Sequence, residues 1–108
     1  MPESLPATTV VRVSRGSFDP GRFAEVDAVN KKTSQYLVPA ISRLPGLLHY
    51  YVGISPEGSI VNVSVWDSHD HAAQMGQLKE MAVDARGEME AVDVSFAPIV
   101  NYPISWSI

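Results

Sequence analysis

Leu47 to Ser55 reads LLHYYVGIS, Pro56-Glu57-Gly58 follows, and Ser59 to Trp66 reads SIVNVSVW. Both runs are dense in β-branched and aromatic side chains, which fit a pleated surface. The proline between them presets a turn φ and the glycine accepts a left-handed one, so the stretch predicts a β-hairpin, strands 2 and 3 of the chain. If Ser55 faces Ser59, Val52 lies beside Asn62, Tyr50 beside Ser64 and Leu48 beside Trp66, all on one face. A two-residue loop brings His49 and Tyr51 to that face instead. Side chains alternate with period two, so a slip of one residue exchanges the faces, and the pattern leaves both registers open.

Upstream, Thr8 to Arg15 (TTVVRVSR) predicts strand 1. Asp19 suits an N-cap and Pro20 the first helical position, where its missing N–H has no partner to lose. From there Phe23, Val26, Val29, Leu37, Ala40, Ile41 and Leu44 recur at helical spacing, and Pro45-Gly46 ends the element. Pro39 falls inside this pattern, which predicts a kink or two consecutive helices. Downstream, Asp67-Ser68 reads as a cap, with Asp70 in the first turn. Ala72, Met75, Leu78, Ala82, Ala85 and Met89 continue a second helix that Gly76 and Gly87 weaken. The last stretch alternates: Val94, Phe96, Pro98, Val100, Tyr102, Ile104, Trp106 and Ile108 share one parity and predict strand 4 with one apolar face. Pro98 and Pro103 cannot donate to a ladder, so part of it is an edge or an extended tail.

The order strand, helix, strand, strand, helix, strand predicts a ferredoxin-like α+β fold, βαββαβ, with a four-stranded antiparallel sheet and two helices on one of its faces. Such a layer leaves the other face bare, and Val61, Val63, Val65 and one face of strand 4 are available to it. A bare apolar face argues for an identical subunit, hence a homodimer. The expected organisation is one domain over residues 1 to 108, with 101 to 108 (NYPISWSI) a tail that packs on the partner.

At 108 residues, with 45% hydrophobic and 19% charged, the composition is that of one globular domain. The absence of cysteine excludes a disulfide framework, zinc-thiolate and iron-sulfur sites and a cysteine nucleophile. A net charge of −4 with 8 dispersed basic residues offers no stripe for nucleic acid or an anionic membrane. Residues 1 to 10 lack the basic and apolar segments of a secretory signal, and no run is long enough to span a bilayer, so the expected compartment is cytoplasmic.

Strand 3 separates Val61, Val63 and Val65 from Ile60, Asn62, Ser64 and Trp66. The Asn62 amide and the Trp66 indole N–H stand about 13 Å apart along one face and could line two ends of a pocket. The structural alternative is that Asn62 caps a loop or meets solvent and Trp66 fills the core. Arg86, in or just past the second helix, could reach the same cavity, or lie on a solvated helix face. Tyr36, Tyr50, Tyr51 and His49 are the available proton-transfer groups, each equally a core or interface residue. His69-Asp70-His71, with Asp67 and His49, invites a metal reading, but residues two apart on a helix diverge by about 200° and cannot easily share an ion, so no metal is expected. No phosphate loop, Ser/His/Asp set or paired carboxylates appear, which removes hydrolase and nucleotide chemistry.

The run Gly58 to Asp70 (GSIVNVSVWDSHD), preceded by Leu44-Pro45-Gly46-Leu47, resembles the antibiotic biosynthesis monooxygenase family of dimeric α/β barrels, over roughly residues 8 to 102. That family carries a Pro-Gly before strand 2 and a strand-3 Trp followed by a polar cap and a helix. The Val-Asn-x-x-x-Trp run is similar to the branch that oxidises polycyclic aromatic polyketides to quinones without metal or flavin. The resemblance implies an enzyme without cofactor acting on a phenol or anthrone with dioxygen. It places Asn62 and Trp66 in the handling of substrate and oxygen, matches Arg86 to an Arg on helix 2, and leaves His49, Tyr50, Tyr51 and Ser64 as substrate-binding candidates. Two alternatives stand beside it. One is a barrel of the stress-responsive type that binds a small apolar ligand without turnover. The other is haem binding or degradation, for which the family's strand-1 Asn and later His are missing: strand 1 is TTVVRVSR and Gly76 holds the later position.

Overall fold

In the computed structural model, which describes residues 5 to 108, the first β-branched run forms β1 (Val10–Ser17). It starts two residues later than the pattern suggests, because Thr8 is used otherwise: its hydroxyl donates to the carbonyl of Asp67 at 2.6 Å. Asp19 caps as expected, accepting from the Gly21 N–H at 2.9 Å. One 3₁₀ turn over Pro20–Arg22 then leads into α1 (Phe23–Ser42). Pro39 does not divide α1 into two helices. It lies in the last turn, and both it and Gln35, whose carbonyl its missing N–H leaves unpaired, are exposed, so water can take that bond.

The hairpin forms from β2 (Leu47–Ser55) and β3 (Ser59–Trp66). Ser55 faces Ser59, Val52 faces Asn62 and Tyr50 faces Ser64, so the register is that of the three-residue connection. Gly58, at φ +106, closes it, and a Cβ there would lie 2.4 Å from the Phe18 carbonyl oxygen. One pairing differs from expectation. Leu47, not Leu48, opposes Trp66, across a bulge between Leu47 and His49. The extra residue lets Leu47 pack against the core around Trp66 while Leu48 stays on the surface.

Ser68 caps the next helix, accepting from the His71 N–H at 3.2 Å, but the long helix expected up to Met89 breaks. α2 (His69–Ala73) tightens into a 3₁₀ turn (Gln74–Gln77), the backbone extends at Leu78 (ψ 110), and a wide π turn (Glu80–Ala85) passes into α3 (Arg86–Glu90). The break follows Gly76, where helix propensity is lowest.

The expected fourth strand also divides, into β4 (Ser95–Phe96) and β5 (Val100–Pro103), both antiparallel to β1. Gly16 pairs with Phe96 and Val13 with Val100. Residues 97–99 therefore oppose only Ser14 and Arg15, a bulge centred on the proline that cannot donate. One extra residue reverses every later side chain. Phe96 points toward the helices with Gly16, whereas Val100 and Tyr102 point to the opposite face with Val13 and Val11. The single apolar parity read from Val94 to Ile108 is thus split between two faces.

The sheet order is β2-β3-β1-β4, with β5 continuing beside β1, an antiparallel sheet with ferredoxin-like topology. Its helix side carries two buried clusters, one around Val10, Ile41, Trp66 and Met75, the other around Phe18, Val26, Ile60 and Val94. Its other side carries Val61, Val63 and Val65 with Val11, Val13, Val100, Tyr51 and Tyr102, and the two tyrosines are 58% and 51% exposed. No helix among the described residues is long and apolar enough to cross a membrane.

Candidate active site

Directly paired residues share a face in an antiparallel sheet. The pairs Arg12↔Ser64, Ser14↔Asn62, Tyr50↔Ser64 and Val52↔Asn62 therefore place these groups on the helix side. The helices do not close onto them. Between the two clusters lies a cavity of about 580 Å³, within the range that holds a ligand of a few fused rings. Its sheet floor includes Arg12, Ser14, Tyr50 and Asn62, and α1 supplies Leu37 and Ile41. Opposite α1, Gly76, Ala82 and Ala85 give a wall of small residues, and the wide turn over Glu80–Ala85 supplies the last two. This is why space remains. Val38 and Val52, 62% and 44% exposed, stand at its mouth.

The Tyr50 hydroxyl donates to Asn62 Oδ1 at 3.0 Å. Burial pushes the Tyr50 phenol up to about 12, an effect that the charge of Arg12 partly opposes. Tyr50 is therefore a fixed donor. With its carbonyl oxygen occupied, Asn62 presents its Nδ2–H₂ group to the cavity.

Arg12 is 8% exposed and lines the same floor. Burial pushes its guanidinium pKa down, with the neighbouring Tyr50 pulling the other way, yet an arginine stays charged. Among the described residues Arg12 forms no ion pair, and no Asp or Glu lines the cavity. The sequence patterning does not single out this residue inside TTVVRVSR. The signal available is parity: Arg12 shares a face with Val10, Ser14 and Gly16, the inward residues of β1.

The other expected site residues separate. Arg86, the first residue of α3, is on the cavity rim, its side chain 46% exposed, 3.5 Å from Glu90 and with its guanidinium 5.2 Å from the centre of the Phe96 ring. Trp66 is fully buried in the first cluster, and its Nε1–H donates to Ser64 Oγ at 2.8 Å. Neither Trp66 nor Ser64 lines the cavity, so the indole N–H does not form the second end of a pocket that the spacing on strand 3 suggested. His49 and Tyr51 stack on the opposite face of the sheet, with ring centres 6.0 Å apart. Tyr36 donates to Glu88 at 2.5 Å and so ties α1 to α3. Glu88 is held below its ordinary pKa by Lys32 first and by Tyr36 second.

His71 Nδ1 pairs with Asp67 at 2.5 Å across one turn, and no group of three metal-ligating side chains occurs among the described residues. Among the described residues no histidine lines the cavity, so a haem placed there would find no imidazole ligand in them.

No protein-family model matches the sequence, and no curated protein matches it. Solved structures do. The chain is similar to SnoaB, a cofactor-independent oxygenase from Streptomyces nogalater, with a TM-score of 0.65 and 19% identity over 94% of this chain and 98% of that one. It is similar to a provisionally named antibiotic biosynthesis monooxygenase from Deinococcus radiodurans, with a TM-score of 0.71 and 19% identity over 92% and 95%. A third likeness is to a protein of the same provisional name from Caulobacter crescentus CB15, with a TM-score of 0.69 and 17% identity over 93% and 92%. The fold is that of the antibiotic biosynthesis monooxygenases. At such identities the likeness speaks for the fold.

Proposed function

We propose that this chain is a cofactor-independent monooxygenase that oxidises an aromatic phenol or anthrone with dioxygen. The observation that carries the reading is the cavity whose floor presents the Asn62 amide N–H₂, held in place by Tyr50, with no carboxylate of the described residues facing it. The fold it shares with a cofactor-independent oxygenase supports the same choice.

The chemistry asks little of a protein beyond positioning and charge stabilisation. An anthrone loses a proton to solvent water at the cavity mouth to give a delocalised enolate, which passes one electron to dioxygen. The resulting radical and superoxide combine, forming a C–O bond, and a proton completes a hydroperoxide. Loss of the remaining hydrogen on that carbon and cleavage of the O–O bond give the quinone carbonyl and one water. One oxygen atom enters the product, the other leaves as water, and the substrate supplies all four electrons that reduce dioxygen and both hydrogens of that water. Asn62 donates to the oxyanion, Arg86 at the rim adds positive charge, and the apolar walls exclude water. Tyr50 orients Asn62 and is too weak an acid to exchange protons near neutrality. Trp66 is assigned to positioning, because its indole fixes Ser64, which sits between Arg12 and Tyr50 on the same face.

The bare valine face supports a homodimer in which a second copy covers it. Tyr102 extends this surface and Trp106, beyond β5, is 76% exposed, and residues 101 to 108 are assigned to contact with that copy.

The test is oxygen uptake by chelator-treated protein with a panel of anthrones, dihydroquinones and naphthols. Quinone formation above background, about 100-fold slower in Asn62→Ala, is expected from removal of an oxyanion donor. Rates equal to the uncatalysed background across the panel would leave a ligand-binding barrel without turnover.

A further inference from the structure

We infer that Arg12 binds the ligand of this cavity as an anion, so that a hydroxy-aromatic is held in its ionised form with its oxygen against the Arg12 guanidinium. The inference rests on the oxygenase reading for its substrate class and on β1 for its residue.

The argument is one of charge balance. A guanidinium removed from water needs a counter-charge or a full set of acceptors. Arg12 is 8% exposed, and among the described residues no element around the cavity supplies that counter-charge. Across β3 it faces Ser64 and across β5 it faces Asn101. Tyr50 comes from β2, Asn30, Thr33 and Ser34 from α1, and Arg86 from α3. Among the described residues, Arg12, Tyr50 and Arg86 are the titratable groups of the wall. Two of these are cations and the third is neutral.

An empty cavity lets water solvate Arg12. A flat aromatic ligand displaces that water, and then the two ionisation states of the ligand differ sharply. A neutral phenol leaves the guanidinium uncompensated, whereas a phenolate pairs with it at short range in a medium of low polarity. Arg86 cannot substitute, because it is half exposed and already has Glu90 within 3.5 Å. Asn62 lies on the same floor, one strand away, since it pairs with Ser14, two residues along β1 from Arg12. Arg12 thus supplies the charge and Asn62 the directional N–H. Binding and ionisation become one step, which is the step that makes the substrate an electron donor.

The experiment uses 4-nitro-1-naphthol, whose electron-poor ring resists oxidation and whose neutral and ionised forms absorb at different wavelengths. Its pH titration is recorded free in solution and bound to wild type, Arg12→Gln, Arg12→Lys and Arg86→Gln. The expected result is a bound pKa lower than the free value by about one unit or more in wild type. Arg12→Gln should abolish the shift, while Arg12→Lys and Arg86→Gln retain most of it. A wild type that does not bind the probe, or that binds it with a pKa at or above the free value, overturns the inference. So does loss of the shift in Arg86→Gln, an outcome that can be read even if Arg12→Gln fails to fold. A lowered pKa in a protein that consumes no oxygen leaves the anion site standing and removes the oxygenase reading. Turnover with an unshifted probe does the reverse.

Discussion

The two faces of the sheet invert the usual distribution of polarity. In the middle of the sheet, the face covered by helices carries Arg12, Ser14, Tyr50, Asn62 and Ser64, while the face without helices carries Val11, Val13, Val61, Val63 and Val65, with Arg15 and His49 around them. A sheet built only for stability would place its valines under the helices. Here the covered face gives up apolar contact in its middle and keeps it at two ends, around Trp66 and around Ile60. The polar centre lines the cavity, and the valines lie half-buried on the face that no helix covers. Stability and chemistry are thus separated by side-chain parity along the same strands.

The sharpest way to break this contrast is to charge the bare face. Val63→Arg should weaken self-association by about 100-fold or more, since a cation buried without a partner costs several kcal/mol. Sedimentation would read this as a species of half the wild-type mass. Unchanged sedimentation of a dimeric Val63→Arg would show that another surface joins the subunits.

The covered face can be tested at one of its two ends. Trp66→Ala should destabilise the fold by about 3–5 kcal/mol, as expected for an emptied aromatic site in a packed core. Trp66→Phe removes mainly the bond to Ser64 and should cost about 1 kcal/mol. Chemical denaturation measures both. A loss of turnover in Trp66→Phe as large as in Asn62→Ala would mean that the indole reaches the substrate, against its full burial here.

The smallest effect concerns pH. Tyr50 is pushed up to about 12 by burial, so the folded state keeps a proton that the unfolded chain releases near 10. The stabilisation is complete below about pH 10 and is lost as pH rises toward about 12. Melting temperatures followed from pH 9 to 11 should fall less steeply in Tyr50→Phe than in wild type. Identical slopes would mean that Tyr50 is solvated.

Much of this was legible in residues 47 to 66. Pro56-Glu57-Gly58 specified a turn by local backbone preference, and the two flanking runs specified strands, so the hairpin and the βαββαβ order followed. The caps at Asp19 and Ser68 were legible for the same reason, since each satisfies a backbone N–H two or three residues away. The site was legible only in part. Asn62 stood out by type and parity, whereas Tyr50 was one of four candidates whose facing the open register left undecided, and the structure brings the two within a hydrogen bond. Arg12 did not stand out, because a lone arginine in a strand reads as an edge charge until its neighbours are known.

Local chemistry determined which segments are strands, helices and turns, and the parity of each strand determined which side chains travel together. Tertiary structure decided which way each set faces. A bulge at Leu48 and another at Pro98 each add one residue, and in a period-two element one residue is the whole difference between core and surface. The same holds for the cavity. It exists because Gly76, Ala82 and Ala85 are brought opposite Arg12 and Asn62 by the broken second helix, a packing outcome that depends on contacts distant along the chain.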